Sequence, residues 1–194
     1  MTAAPSKRMT FKEYVAFEEA SELRHEYFNG EVFAMAGGTG EHPALCAAIV
    51  GALSHLKGPC RLFGETLRIR TPSGKAAYPD AVVVCGPRVL DPDDKNSTTN
   101  PTLIVEVLSE STEGYDRGDK FTHYRSCPSF VEYVLVTTQG TPRIERFIKT
   151  DGVWTICDHA GSGEQQRLSS VDALLDVDTI YGGLVAADGT IHAD

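Results

Sequence analysis

One acidic residue inside an apolar run constrains this chain more than any other feature. The stretch Pro101 to Ser109 reads PTLIVEVLS, so Glu106 is flanked by Leu103, Ile104, Val105, Val107 and Leu108. Five or more apolar residues in a row predict a strand buried on both faces. An ionised carboxylate in such a strand costs several kcal/mol unless something pairs with it. A second apolar run, YPDAVVVCG, opens with Asp80. Lys120 follows one short helix after Glu106, in GYDRGDKFTHYRS. Two acids led onto neighbouring buried strands make a small, hard, anionic cleft. Its natural occupant is Mg2+ or Mn2+, which takes oxygen ligands and retains waters. A nearby lysine can hold an attacking water or offset charge on a phosphate. Each residue also has an ordinary reading: Asp80 as a turn cap after Pro79, Glu106 in a buried pair with Arg68, Arg70 or Lys120, and Lys120 in a helix-surface pair with Asp116.

The 194 residues suffice for one domain with a full core, and the 41% hydrophobic fraction fits a globular chain. We expect tails over residues 1–9 and 186–194 around a single domain over 10–185. No apolar run reaches the ~20 residues of a membrane helix, and MTAAPSKRMT carries no apolar leader, so a cytoplasmic location is expected. The five cysteines are odd in number and include no CxxC, which reads as reduced, mostly buried thiols without a thiolate metal site. A net charge of −9 argues against a protein that coats nucleic acid nonspecifically. It is compatible with an enzyme that meets phosphates through a metal.

Along the chain, Thr10 with Glu13 forms a capping box for a helix to about Ala20. Asn29-Gly30 marks a hairpin with strands near 24–28 and 31–36, ended by Gly37-Gly38. EHPALCAAIVGALSHL is a helix, ended by Gly58-Pro59. One strand spans Leu62 to Ile69, TPSGK turns, and a second strand spans Ala77 to Cys85. Residues 86–100 are a loop by composition. Residues 102–108 form a strand, about 114–126 a helix, and 130–136 a strand. A C-terminal hairpin turns at Thr150-Asp151-Gly152, 161–167 is polar loop, and SSVDALL is a short helix. The class is α/β, of the α+β mixed-sheet kind, with helices flanking the sheet.

In order along the chain stand Asn29-Gly30-Glu31, His42, Tyr78-Pro79-Asp80, Glu106-Val107-Leu108-Ser109, Asp116-Arg117-Gly118-Asp119-Lys120, Tyr124 and Pro128. The series resembles the PD-(D/E)XK nuclease superfamily and, within it, the putative restriction endonuclease family of unknown biological role, over about residues 10–140. The resemblance implies a restriction-endonuclease-like α-β-β-β-α-β core. It implies Asp80 and Glu106 as catalytic Mg2+ or Mn2+ ligands, with the Val107 carbonyl as a third. The superfamily's lysine two residues after the acid is Leu108 here, which leaves Lys120 as the catalytic cation. Glu26, His42 and Asp116 are secondary candidates, although a strand face, a helix cap and a surface pair account for them equally. Arg68 and Arg70 are candidate nucleic-acid contacts, or the exposed side of their strand. The expected activity is metal-dependent cleavage of DNA, with a homodimer supplying the second cut. The alternative is a nuclease fold that binds nucleic acid or protein without catalysis.

Overall fold

A computed structural model describes residues 8–35 and 40–192. The expected Gly37-Gly38 strand end and most of the N-terminal tail lie outside the described residues. Helix α1 (Phe11–Ala20) begins at the expected capping box, where Thr10 and Glu13 satisfy each other's backbone N–H. Strands β1 (His25–Phe28) and β2 (Glu31–Ala34) form the hairpin, and Asn29 and Gly30 take the positive φ that its tight turn requires. Helix α2 (Glu41–Leu53) buries Leu45, Ile49 and Leu53 on one face and ends before the Gly58-Pro59 breaker.

The two long strands expected next are each split between two sheets. The first becomes β3 (Cys60–Gly64) and β4 (Arg68–Arg70), and the second β5 (Ala76–Ala77) and β6 (Ala81–Cys85). Strands β4 and β5 pair in one sheet, and β3 and β6 in the other. The alternating pattern runs on through the break, because inward residues stay inward while the chain changes sheet. Gly64 to Leu67 bends one strand, and Tyr78-Pro79-Asp80 the other. Proline donates no ladder hydrogen bond, so it suits this corner.

Residues 86–100 are not the mobile loop their composition suggests. They contain β7 (Leu90–Asp91) and β8 (Asp94–Thr98), an antiparallel pair whose β8 lies parallel to β4. The first sheet therefore runs β2-β1-β5-β4-β8-β7. The polar residues of β8 go inward: Asp94, Ser97 and Thr98 are buried. Asp94 is held by Arg68, which explains a hydrophilic strand that hydropathy cannot find.

Strand β9 (Leu103–Val107) leads into one composite helix: α3 (Glu113–Tyr115), a π-helical segment (Asp116–Lys120) and α4 (Phe121–Tyr124). Strand β10 (Glu132–Val136) returns parallel to β9, and β11 (Ile144–Thr150) and β12 (Val153–Ala160) complete the second sheet, ordered β12-β11-β10-β9-β6-β3. The expected SSVDALL helix is a hairpin instead. Strands β13 (Gln165–Leu168) and β14 (Ala173–Asp176) pair across a turn in which Asp172 has positive φ. Buried Glu132 accepts hydrogen bonds from Ser169 and Ser170 in that turn, which fixes it in place. Helix α5 (Val177–Ile180) follows. Within the described part of the expected C-terminal tail, Ile191 is buried and bridges Val185.

Both faces of the second sheet are covered. Leu103, Val105 and Val107 pack toward α2 and α5, while Ile104 faces Phe121, Tyr124 and Tyr133. Two cysteines depart from the reduced expectation: Cys60 and Cys85 are directly opposed on β3 and β6 and form a disulfide. Cys46 and Cys127 are free thiols.

Candidate metal centre

Register brings the two central acids together. Strands β6 and β9 are antiparallel neighbours with Val82 opposite Ile104 and Ala81 opposite Val105. One further step places Asp80 opposite Glu106. Side chains alternate along a strand, so Glu106 shares the face of Ile104 and points toward the composite helix. Asp80, at the corner between the sheets, points the same way. The carboxylate of Asp80 accepts the Val107 N–H through Oδ2 at 2.7 Å.

Lys120 reaches the acids. The π-helical turn is wider than an α-turn, and it buries both Asp116 and Lys120 on the side facing β9. Lys120 Nζ lies 2.8 Å from Glu106 Oε1, 3.2 Å from Asp116 Oδ1 and 3.6 Å from Glu26 Oε1. The Asp116 pair at i,i+4 is therefore real, but it lies inside the cleft and not on a solvated helix face. Glu106 also accepts from the Tyr124 hydroxyl at 2.9 Å. Glu26, on β1, is bound by Lys75 Nζ at 2.6 Å and by the Tyr115 hydroxyl at 2.8 Å. His42, in the first turn of α2, places Nε2 3.6 Å from Asp80 Oδ2. All six of Glu26, His42, Asp80, Glu106, Asp116 and Lys120 line one cleft of about 1260 Å3 between the sheets, and Val107 lines it with them.

Electrostatics follow from burial and crowding. Glu106 is only 2% exposed, and desolvation pushes its carboxyl well above the usual range, with Asp116 and Asp80 adding to the rise against Lys120. Burial would lower Lys120, yet Glu106, Glu26 and Asp116 together hold it well above the ordinary lysine value. Asp116 is raised, by desolvation first. Asp80 is lowered: burial opposes ionisation, but His42, Lys120 and the Val107 N–H outweigh it. His42 is raised in turn, chiefly by the Asp80 carboxylate beside it. Burial is the largest influence on Glu26 and opposes its ionisation, but Lys120 and Lys75 bring its carboxyl below the usual range. Four carboxyl groups thus crowd around two ammonium groups and His42, and the crowding resists ionisation of Glu106 and Asp116.

This donor set fits a hard divalent ion. The contacts described above engage Oδ2 of Asp80 and Oε1 of Glu106, and carboxylate oxygens are the donors that Mg2+ and Mn2+ prefer. The Val107 carbonyl belongs to the same corner, where it hydrogen-bonds His42. A divalent ion would offset the crowding that resists ionisation of Glu106 and Asp116.

The arginines go elsewhere. Arg68 is 2% exposed, and its guanidinium is enclosed by Asp94, Ser97 and the Tyr78 hydroxyl, with Nε 2.8 Å from Asp94 Oδ2. Arg70 lies 3.8 Å above the Phe11 ring and donates to the Gly74 carbonyl. The buried Arg68 guanidinium is not free to track a phosphate backbone, while Arg70 is half-buried and ties β4 to its neighbours through Phe11 and Gly74. Tyr115 and Tyr124 are not among the candidates from sequence, because a tyrosine on a helix carries no local sign of the acid it meets; Lys75, which follows Arg68 and Arg70 in the chain, turns inward to Glu26.

A family model described as "Uma2: Putative restriction endonuclease" matches residues 11–178. The chain is 36% identical over 189 residues to the uncharacterized protein slr1290 of Synechocystis sp., covering 94% of this chain and 96% of that one. It is 30% identical over 173 residues to the uncharacterized protein sll1609 of the same organism, covering 87% and 97%. Its fold is similar to the crystal structure of a "putative nuclease belonging to DUF820" from Anabaena variabilis, with a TM-score of 0.67 at 15% identity, covering 89% of this chain and 97% of that one. The mixed α/β architecture and the match along residues 11–178 place the chain in the Uma2 putative restriction endonuclease family, within the restriction-endonuclease-like superfamily.

Proposed function

We propose that the chain is a metal-dependent endonuclease that hydrolyses phosphodiester bonds in DNA. The observation that carries this reading is the crowding of four carboxyl groups, Asp80, Glu106, Glu26 and Asp116, around Lys120 and Lys75 in an open cleft. A cleft built only to bind a polyanion gains nothing from carboxylates turned toward it. Asp80, Glu106 and the Val107 carbonyl would hold Mg2+ or Mn2+. When bound, the ion polarises the phosphoryl oxygen and acidifies a coordinated water. Lys120 takes the place of the lysine that Leu108 lacks: its ammonium, at 2.8 Å from Glu106, holds the attacking water and offsets charge on the phosphate. His42 orients Asp80, and Tyr124 orients Glu106. Lys75 and Tyr115 hold Glu26 at the rim of the same site. A homodimer would supply the cut in the second strand, and β12, at the edge of its sheet with Val153 and Ile156 exposed, is the surface we assign to it.

The test is nicking of supercoiled plasmid with Mg2+ or Mn2+ by the wild type, Asp80→Asn, Glu106→Gln and Lys120→Met, with a structured RNA in parallel. Metal-dependent DNA nicking that falls at least about 100-fold in each variant is expected. A folded wild type that binds metal and nucleic acid but cuts neither polymer would make the cleft a binding module.

A further inference from the structure

His42 and Cys46 stand one turn apart on α2, so their side chains share a face. Cys46 Sγ is 3.6 Å from His42 Nδ1. Asp80 stands beside the pair, with its carboxylate 3.6 Å from His42 Nε2. The sulfur, one imidazole nitrogen and one Asp80 oxygen all lie within 4.8 Å of one another. This is a different donor set from the Asp80–Glu106 pair. Mg2+ has little affinity for thiolate or imidazole, whereas Zn2+ takes sulfur, nitrogen and oxygen together. Tetrahedral Zn2+, with bonds of about 2.0–2.3 Å, spaces its donors about 3.3–3.8 Å apart. Side-chain adjustments of about 1 Å close the group around such an ion. Three protein ligands and one open position toward the cleft complete four-coordination.

We propose that His42, Cys46 and Asp80 form a second metal site, selective for a borderline-soft ion of the Zn2+ type. Binding replaces the thiol S–H bond with a sulfur–metal bond and releases the proton to solvent. Asp80 belongs to both donor sets. A soft ion here and a hard ion at Asp80–Glu106 therefore compete, and micromolar Zn2+ would inhibit an Mg2+-dependent reaction. That competition rests on the nuclease reading; the site itself does not.

The test is titration of the full chain, without reductant, with Co2+ followed by absorption. Co2+ is a spectroscopically visible substitute for Zn2+. The expected result is a near-ultraviolet thiolate-to-Co2+ charge-transfer band with one ion per chain, bleached by Zn2+. The band is lost in Cys46→Ser. In His42→Ala and Asp80→Asn the Co2+ affinity falls at least tenfold. Glu106→Gln keeps the band. Circular dichroism and thermal melting establish that each variant is folded. A folded wild type with no band overturns the proposal, as does a band that persists in Cys46→Ser or an affinity unchanged in Asp80→Asn. The readout is independent of cleavage, so an inactive but Co2+-binding chain would refute the nuclease reading and leave this site standing.

Discussion

Replacing Lys120 by methionine removes the cation that three buried carboxylates share, while leaving most of the side-chain volume. Glu106, Asp116 and Glu26 lie 2.8, 3.2 and 3.6 Å from its ammonium, and all four residues are buried. Breaking a buried ion pair by removing one partner costs about 3–5 kcal/mol. For a chain of this length that is a fall in Tm of about 6–20 °C. The loss must depend on pH, with a definite sign. Glu106 and Asp116 already have raised carboxyl pKa values from desolvation, and losing Lys120 raises them further. A group whose folded pKa is raised has its stabilising effect fully present below the unfolded value, and loses it as pH rises through the folded value. Lys120 itself stays charged from pH 5 to 8, because its pKa is raised above the ordinary lysine range. The deficit of Lys120→Met is therefore larger at pH 8 than at pH 5, where the acids take up protons.

Urea unfolding in EDTA measures it. Trp154, packed edge-on against Phe121 and tilted against Phe130, is the natural fluorescence reporter. Glu106→Gln on the Lys120→Met background should recover part of the loss, with a coupling of about 1–3 kcal/mol in the double-mutant cycle. A Lys120→Met variant within about 0.5 kcal/mol of the wild type at pH 8 would refute the argument. It would mean that water screens these acids and that the closely packed cluster is not the state in solution.

Three further outcomes follow from the same geometry. Mg2+ at a hundredfold excess over its Kd should stabilise the wild type by about 2.7 kcal/mol and leave Asp80→Asn unmoved, as read by melting curves with and without EDTA. Arg68→Met should cost about 3–5 kcal/mol, because it strands Asp94 in the first sheet, while the salt dependence of DNA binding stays unchanged; a shallower salt slope would restore Arg68 to the nucleic-acid interface. Reducing the Cys60–Cys85 disulfide, which spans a sequence separation of 25, should cost about 3.5 kcal/mol by loop entropy, and thermal melting with and without dithiothreitol measures this.

What could be read in the sequence divides along physical lines. Local signals were legible: the Thr10–Glu13 capping box, the Asn29-Gly30 turn and the 3.6-residue spacing of Leu45, Ile49 and Leu53 all act within a few residues, and each gives the element it predicts. The sheet change at Gly64–Leu67 and at Tyr78–Asp80 was not, because alternation continues unbroken through a bend. Strand β8 was missed because its inward residues are polar, and only Arg68, 26 positions earlier for Asp94, makes that burial tolerable. The same non-local logic separates the two buried strand acids. Glu106 and Glu132 both sit in apolar runs, and both are buried. Glu132 accepts from two backbone N–H groups and the hydroxyl of Ser170, and its charge is matched by one cation, Arg146, 3.5 Å away, so it holds a turn and shares its partner with no other acid among the described side chains. Glu106 is held by a tyrosine and by a lysine that it shares with two other acids, and it faces an open cleft. An acid in an apolar strand therefore signals that a partner exists elsewhere in the fold. Whether that partner makes a structural joint or a reactive site depends on the charge left over once the partners are counted. Around Glu106 the acids outnumber the cations that hold them, which is why the site must be sought there and not at Glu132.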